Sequence, residues 1–163
     1  MSLRPDLVAC WLFRIMPAGG VEILLIRRAA GRPYPGLWQC VTGRLEAGER
    51  ITQAALREVR EETGLAPEDL EAVFETDLVN QFHEASLDAI LVEAVFAARV
   101  HASATVRLSE EHDALRWRDP AAARVLVTWP AYVRAIDAVE WLVAEPERSR
   151  HFALGDGRTV AER

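Results

Sequence analysis

The chain has 163 residues, half of them apolar, which is the usual size for one domain with a substantial core. Its formal net charge of −6 disfavours nucleic acid and anionic membranes, so a polyanionic ligand would need cations placed locally. The sequence lacks an apolar run long enough to span a membrane and a secretion-signal pattern, so we expect a cytoplasmic protein. Cys10 and Cys40 lie in apolar segments without zinc-ligand spacing and are expected to be buried free thiols.

The first part of the chain predicts strands followed by a helix. Segments 7–16 and 21–29 are rich in β-branched and aromatic residues and predict two strands joined by a turn. Residues 37–45 predict a third strand. From residue 50 to 63 the apolar residues repeat with a helical period, and Gly64 stands where a helix commonly ends.

The second part predicts more strands and then two helices. The strands are expected near 70–78, 88–100 and 113–118. A short helix is expected to begin at residue 120, after the cap Asp119, and a second helix to span 131–145. Strands interleaved with helices predict an α/β layered domain over residues 1–145. Residues 146–163 are polar and contain glycine, which predicts a loosely held tail.

Three carboxylates, Glu58, Glu61 and Glu62, fall on one face of the predicted helix, where they would repel one another. One interpretation is a solvated acidic face stabilised by Arg57 and Arg60. The other is a binding site for a hard divalent cation, Mg²⁺ or Mn²⁺, which prefers clustered oxygen ligands. Glycines on both sides of the helix favour the cation site.

This stretch resembles the signature of the Nudix hydrolases: Gly, five residues, Glu, seven residues, Arg-Glu-apolar, one residue, Glu-Glu, one residue, Gly-apolar. The chain fills every fixed position, with Gly43, Glu49, Arg57, Glu58, Val59, Glu61, Glu62, Gly64 and Leu65. The resemblance implies an α/β/α sandwich around a mixed β-sheet. It also implies hydrolysis of a nucleoside diphosphate linked to another group.

The resemblance assigns roles to these residues. Glu58 and Glu62 are implied to be the principal ligands of Mg²⁺ or Mn²⁺, and Glu61 a further ligand or the group that orients or deprotonates water. Gly43 is implied to offer its backbone carbonyl to the metal. Arg57 and Glu49 resemble an ion pair that holds the loop against the helix and orients Glu58.

We also expect Glu111 to complete the active site as a metal ligand or as the base for the attacking water. The helix presents one face only, and hard cations need further oxygen ligands. Glu110 is the competitor, because neighbouring residues beside a strand point in opposite directions. Both residues could instead be exposed loop acids.

The segments 37–43, 108–123 and 128–143 resemble the dihydroneopterin triphosphate pyrophosphohydrolase branch, which also acts on deoxynucleoside triphosphates. This implies cleavage of a triphosphate to a monophosphate and pyrophosphate. Trp38 or Phe82 could stack on the ring, and Arg27 or Arg28 could clamp phosphate. Alternatively, Trp38 packs in the core beside Cys40, and the two arginines are merely exposed.

Other readings stay open. A dinucleoside polyphosphate or sugar-nucleotide hydrolase is the main alternative, and a non-catalytic ligand-binding module is another. An isopentenyl diphosphate isomerase is disfavoured, because we find no cysteine suited to its chemistry. We expect a small nucleotide-like polyphosphate as the partner, without nucleic acid or membrane, and leave a homodimer open. Among single residues, His112 is expected to be structural, and Trp117, Trp129 and Trp141 are expected to pack in the core. His83 could line the ligand cleft beside Phe82, but we expect it to lie in an exposed loop.

Overall fold

The structure, a computed structural model, describes residues 3–163. Its strands are β1 (Leu7–Ile15), β2 (Val21–Arg28), β3 (Trp38–Gln39), β4 (Val41–Arg44), β5 (Leu70–Glu84), β6 (Ala89–Val100), β7 (His112–Arg118) and β8 (Ala153–Gly155). Its helices are α1 (Ile51–Thr63), α2 (Pro120–Leu126), α3 (Pro130–Ala144), α4 (Pro146–Ser149) and α5 (Gly157–Glu162). Short 3-10 turns at Pro67–Asp69 and Arg150–Phe152 complete the described chain.

The sheet is mixed because β1 has partners of both directions. It pairs in parallel with β6, whereas its other edge pairs antiparallel with β2 through Phe13–Ile15 and with β4 through Leu7–Cys10. The strand order is β3-β2-β1-β6-β5-β8, with β4 added beside β1 and β7 beside β2. Since β1 changes partner along its length, the sheet opens between β2 and β4.

This change of partner also divides the strand predicted over 37–45. β3 pairs with β2, and β4 pairs with β1, with Cys40 between them. The prediction of one continuous strand was wrong, because consecutive residues follow different partners and cannot share one ladder.

Each face of the sheet carries its own apolar core, which makes the domain an α/β/α sandwich and confirms the predicted fold. Successive side chains of β1 point to opposite faces. Val8, Cys10 and Leu12 pack in the core on the α1 and α5 side. Ala9, Trp11 and Phe13 pack in the core with α2 and α3.

The helix ends follow the expected chemistry. α1 ends at Gly64, which has a left-handed φ of 70° and donates its amide to the Arg60 carbonyl at 2.9 Å. α2 begins after Asp119, whose side chain accepts from the Ala122 amide at 3.0 Å. Both predicted signals are confirmed.

Strand β5 is longer than predicted and runs to Glu84. Its pairing with β6 shifts register between Glu75 and Val79, and Asp77 there has a positive φ of 58°. The bulge interrupts the alternation of buried and exposed residues, so the sequence pattern suggested an end near residue 78. His83 consequently lies in a strand, not in a loop.

Residues 146–163 differ from the loosely held tail that their composition predicted. β8 pairs with β5, and Val160 of α5 is 2% exposed in the core under α1. Gly157 packs so closely that a Cβ there would lie 2.1 Å from the Pro67 carbonyl oxygen. A few buried positions anchor this otherwise polar segment, and such isolated contacts leave little trace in composition.

Some single-residue predictions are settled by burial. Cys10 and Cys40 are buried free thiols, as expected. Trp117 and Trp141 are partly buried against the two cores, but Trp129 is 40% exposed and contacts Tyr34 edge to face, so its core assignment was wrong. None of the helices within residues 3–163 is long and apolar enough to cross a membrane.

Candidate active site

Arg57 joins the loop before α1 to the helix itself. Its guanidinium makes two hydrogen bonds to the Glu49 carboxylate, Nε to Oε1 at 2.8 Å and Nη2 to Oε2 at 3.1 Å. Nη2 also donates to the Arg44 carbonyl at 2.9 Å. Hydrogen bonding from Arg57 lowers the pKa of Glu49, and this bonding raises the pKa of Arg57. The ion pair expected from the resemblance is therefore present.

The same guanidinium reaches two carboxylates of α1. Nη1 donates to Glu58 at 2.7 Å and to Glu61 at 3.2 Å. Burial raises the pKa of Glu58, and the bond from Arg57 partly offsets that rise. Arg57 thus orients Glu58 directly as well as through the loop.

Gly43 on β4 provides the space for the Glu58 carboxylate. A Cβ on residue 43 would lie 1.9 Å from Glu58 Cδ and 2.0 Å from Oε1, far inside contact distance. Only glycine therefore lets the Glu58 carboxylate lie in this place against β4; any side chain at residue 43 would push the carboxylate aside. The role expected of the Gly43 carbonyl as a metal ligand stays a prediction.

Glu62 is a carboxylate without enough partners. It is 3% exposed, and its Oε2 is buried without a hydrogen bond among residues 3–163. Burial and the charges of Glu58 and Glu111 raise its pKa to about 9, although the Thr42 backbone lowers it slightly. An unpartnered buried oxygen beside two further carboxylates fits a divalent cation, which would supply the missing positive charge.

Glu111 directly precedes β7 and shares this site. It lines a small cavity of about 280 Å³ with Glu58, Glu61 and Glu62, and it also lines a much larger cavity. Glu110 is more exposed than Glu111, and it lines the small cavity but not the larger one. The cavity lining favours Glu111 over Glu110, and the role of Glu111 as ligand or base stays a prediction. The next residue, His112, is buried, and burial lowers its pKa to about 4, in keeping with a structural role.

The carboxylates are close together but do not yet form a coordination shell. Across the described part of the chain, no three His, Cys, Asp or Glu side chains are gathered as ligands. Glu58 instead bonds to Arg57. A cation that binds Glu58 must therefore share the carboxylate with Arg57 or displace Arg57 from one of the carboxylate oxygens.

The larger cavity measures about 1150 Å³ and extends from these carboxylates to β5, β6 and α3. Arg28 and Phe82 line it, as does His83, and the contacts of Arg28 and Phe82 with substrate stay a prediction. The Arg28 side chain also donates to the Pro33 carbonyl, which holds the following loop beside the cavity.

Trp38 and Arg27 do not line either cavity, which corrects the expectation that they contact substrate. Trp38 is partly buried against the core on the α2 and α3 side, with Arg116 4.8 Å and Arg27 5.7 Å from its ring centroid. Arg27 forms a 2.7 Å ion pair with Asp113. Side chains alternate along a strand, and Gln39, the neighbour of Trp38, is the residue that faces the cavity.

The cavity has polar residues that the sequence reasoning did not single out. Asn80, Glu93 and Tyr132 are buried and line it. One available signal was Glu93, a lone charge in the otherwise apolar run 89–98. The approach of Asn80 and Tyr132 depends on strand register and helix packing, so no local pattern indicates it.

Comparison with known proteins agrees with this geometry. The NUDIX domain pattern matches residues 5–142. An octanoyltransferase of Myxococcus xanthus is 44% identical over 100 residues, which is 60% of this chain but only 26% of that protein's length. A CTP pyrophosphohydrolase of Escherichia coli is 31% identical over 117 residues, covering 72% of this chain and 81% of that protein.

The solved structure of the E. coli dihydroneopterin triphosphate pyrophosphohydrolase superposes with a TM-score of 0.69. It is 26% identical and covers 82% of this chain and 93% of its own. The intact signature, the sandwich fold and these matches agree with one another. The chain therefore belongs to the NUDIX domain family and carries the domain of a Nudix hydrolase.

Proposed function

We propose that this protein hydrolyses a phosphoanhydride bond in a nucleoside-triphosphate-like substrate, using Mg²⁺ or Mn²⁺. The substrate is dihydroneopterin triphosphate or a (deoxy)nucleoside triphosphate, and the products are its monophosphate and pyrophosphate. The observation that carries this proposal is the buried, unpartnered oxygen of Glu62 beside Glu58 and Glu111. These acids open onto a cavity large enough for a nucleotide.

Glu58, Glu62 and Glu111 would hold the cation, with Glu61 and the Gly43 carbonyl as further oxygen donors. A bound divalent cation supplies charge that neutralises phosphate oxygens and acidifies a bound water. The chain's own contribution is to keep these donors converged. Arg57 does this by bonding to Glu49, Glu58 and the Arg44 carbonyl together.

In the reaction, the oxygen of a water molecule bonds to a phosphorus while the anhydride bond between the α- and β-phosphates breaks. Glu111, or Glu61 in its place, accepts the proton of that water, and pyrophosphate leaves with the electron pair of the broken bond. Arg57 and Glu49 position the carboxylates and do not touch the reacting atoms.

The cavity supports a substrate with a planar ring. Phe82 offers an apolar surface there, and Arg28 offers a cation near the carboxylates. The CTP pyrophosphohydrolase and the dihydroneopterin triphosphate pyrophosphohydrolase both act, by their names, on triphosphates. Both likenesses favour a triphosphate here.

The decisive experiment is a product analysis with purified protein and Mg²⁺ or Mn²⁺. Dihydroneopterin triphosphate, nucleoside triphosphates, dinucleoside polyphosphates and a sugar nucleotide are supplied separately, and pyrophosphate and orthophosphate are measured. We expect pyrophosphate from the triphosphates and no turnover after chelation. Turnover confined to dinucleoside polyphosphates or sugar nucleotides would overturn the substrate assignment.

That alternative has one observation in its favour. At about 1150 Å³ the cavity is above the common range of about 300–1,000 Å³ for small-molecule sites. A second nucleoside moiety could occupy the excess. A dinucleoside substrate would yield two nucleotides instead of one monophosphate and pyrophosphate, and chromatography distinguishes these two sets of products.

A further inference from the structure

Glu93 interrupts an apolar stripe at the place where the sheet meets the large cavity. On β6 the alternate residues Leu91, Glu93, Val95 and Ala97 face one side of the sheet, where Val95 and Ala97 join the core under α3. Glu93 is 6% exposed and lines the cavity. A carboxylate at this position must therefore give up most of its hydration.

Asn80 is the partner of Glu93 across the strand pair. The two residues are opposite one another in the register of β5 and β6, and Asn80 Nδ2 donates to Glu93 Oε2 at 2.8 Å. Asn80 is also buried and also lines the cavity. This bond fixes the orientation of the carboxylate.

One amide donor does not satisfy a buried carboxylate, which has several acceptor positions. Burial accordingly raises the pKa of Glu93 despite the bond from Asn80. Leu91 and Phe82 beside the pair offer apolar contacts only. If these two positions only had to pack, an apolar pair of similar volume would stabilise the fold at least as well. Because Glu93 lines the cavity, an acceptor position that Asn80 leaves free is available to a ligand there.

We propose that Glu93, held by Asn80, determines which heterocycle the cavity accepts, and that it selects a ring edge with two adjacent N–H donors. The 2-amino-4-oxopyrimidine ring found in guanine and in pterins has such an edge, a ring N–H beside an amino group. Adenine and cytosine present an acceptor nitrogen beside their amino group, and that nitrogen would face a carboxylate oxygen. This inference rests on the proposed triphosphate substrate and names its ring class.

The test exchanges an acceptor for a donor with almost no change in shape. Glu93→Gln presents one acceptor and one donor, which suits the edge of adenine. We expect the ratio of kcat/KM for GTP over ATP to fall at least about tenfold, within the range expected for a bidentate ring contact. Glu75→Gln, an exposed change on β5, is the matched control and should leave the ratio unaltered.

A binding measurement separates this inference from the proposed function. Guanosine and adenosine lack phosphates, so their affinity, followed through tryptophan fluorescence, does not depend on hydrolysis. We expect the wild type to prefer guanosine and Glu93→Gln to lose that preference. If the wild type hydrolyses no triphosphate but shows this pattern, the proposed function fails and the assignment of Glu93 stands.

An unchanged preference for guanine over adenine in Glu93→Gln, in both assays, overturns the inference. Asn80→Ala provides the second variant should Glu93→Gln not fold. It removes the donor that orients the carboxylate, so we expect a several-fold loss of guanosine preference with the thermal transition still cooperative. If Glu93→Gln does not fold, and a folded Asn80→Ala variant still prefers guanosine as the wild type does, that result also overturns the proposal.

Discussion

The carboxylate of Glu58 occupies the space in which residue 43 would carry a side chain. The ideal Cβ of residue 43 would lie 1.9 Å from Glu58 Cδ. Gly43→Ala is therefore expected to displace Glu58 and lower kcat by about 10²-fold, the cost of moving a catalytic group by about an ångström. Gly20→Ala is the control, because a Cβ there meets no atom within 4 Å. Wild-type turnover in Gly43→Ala would contradict the assigned role of Glu58.

Glu62→Gln is expected to separate stability from activity. Between about pH 4.5 and pH 9 the buried Glu62 must stay protonated in the metal-free fold, whereas it ionises freely once unfolded. Gln has no proton to lose, so near pH 7 the metal-free variant should melt at a higher temperature than the metal-free wild type. Its kcat with saturating Mg²⁺ should fall by at least about 10²-fold. Glu61→Gln, at an exposed position, should leave the melting temperature unaltered. A Glu62→Gln enzyme with normal turnover would rule out the cation site.

The metal-free protein should lose stability as the pH rises. The pKa of Glu62 is about 9 in the folded chain and close to 4.5 in an unfolded one. Between these values the folded state binds more protons than the unfolded state, so the free energy of unfolding decreases with pH. Urea denaturation in chelator at about pH 5 and about pH 8.5 measures this slope, and Mg²⁺ or Mn²⁺ should flatten it. Glu62→Gln should flatten it without metal.

Glu111 and Glu110 form a natural matched pair. Glu111→Gln should lower kcat at least about tenfold with an unchanged thermal transition, whereas Glu110→Gln should stay within about twofold of wild type. The reason is that Glu111 alone of the two lines the large cavity. The opposite pattern would assign the role to Glu110, and two silent variants would leave proton transfer to Glu61.

The two aromatic residues considered for ring stacking should now behave differently. Phe82→Ala removes an apolar wall of the cavity, and its KM for the triphosphate should rise by roughly tenfold, the lower part of the range for base stacking. Trp38→Phe should leave KM unchanged, since Trp38 packs between arginines away from the cavity. A larger KM effect at Trp38 than at Phe82 would contradict the cavity lining.

The sequence was most informative where spacing along a single helix determines geometry. The residues Glu58, Glu61 and Glu62, the end of α1 at Gly64 and the cap at Asp119 all depend on neighbours a few positions away. Trp38 shows the opposite case. Whether it faces the cavity depends on the pleat of a two-residue strand, and one step of register exchanges it with Gln39.

The register of β5 and β6 set a second limit. Asn80 meets Glu93 only because a bulge at Glu75–Val79 shifts the pairing by an amount that the sequence does not encode locally. The anchoring of residues 146–163 likewise depends on Gly157 and Val160 finding room in a distant part of the fold. Long-range fit of this kind has no periodic signature.

The contact of α5 with α1 makes the carboxylate-bearing helix part of a larger cooperative unit. Val160 shares a core with Ala55 and Val59 on the inner face of α1, so opening of the segment 153–162 exposes that face to water. Amide exchange along α1 should then report the detachment of α5, although α5 contributes no residue to the cavities. The positions of Glu58 and Glu62 therefore depend on packing contacts far from the cavities as well as on the residues beside them.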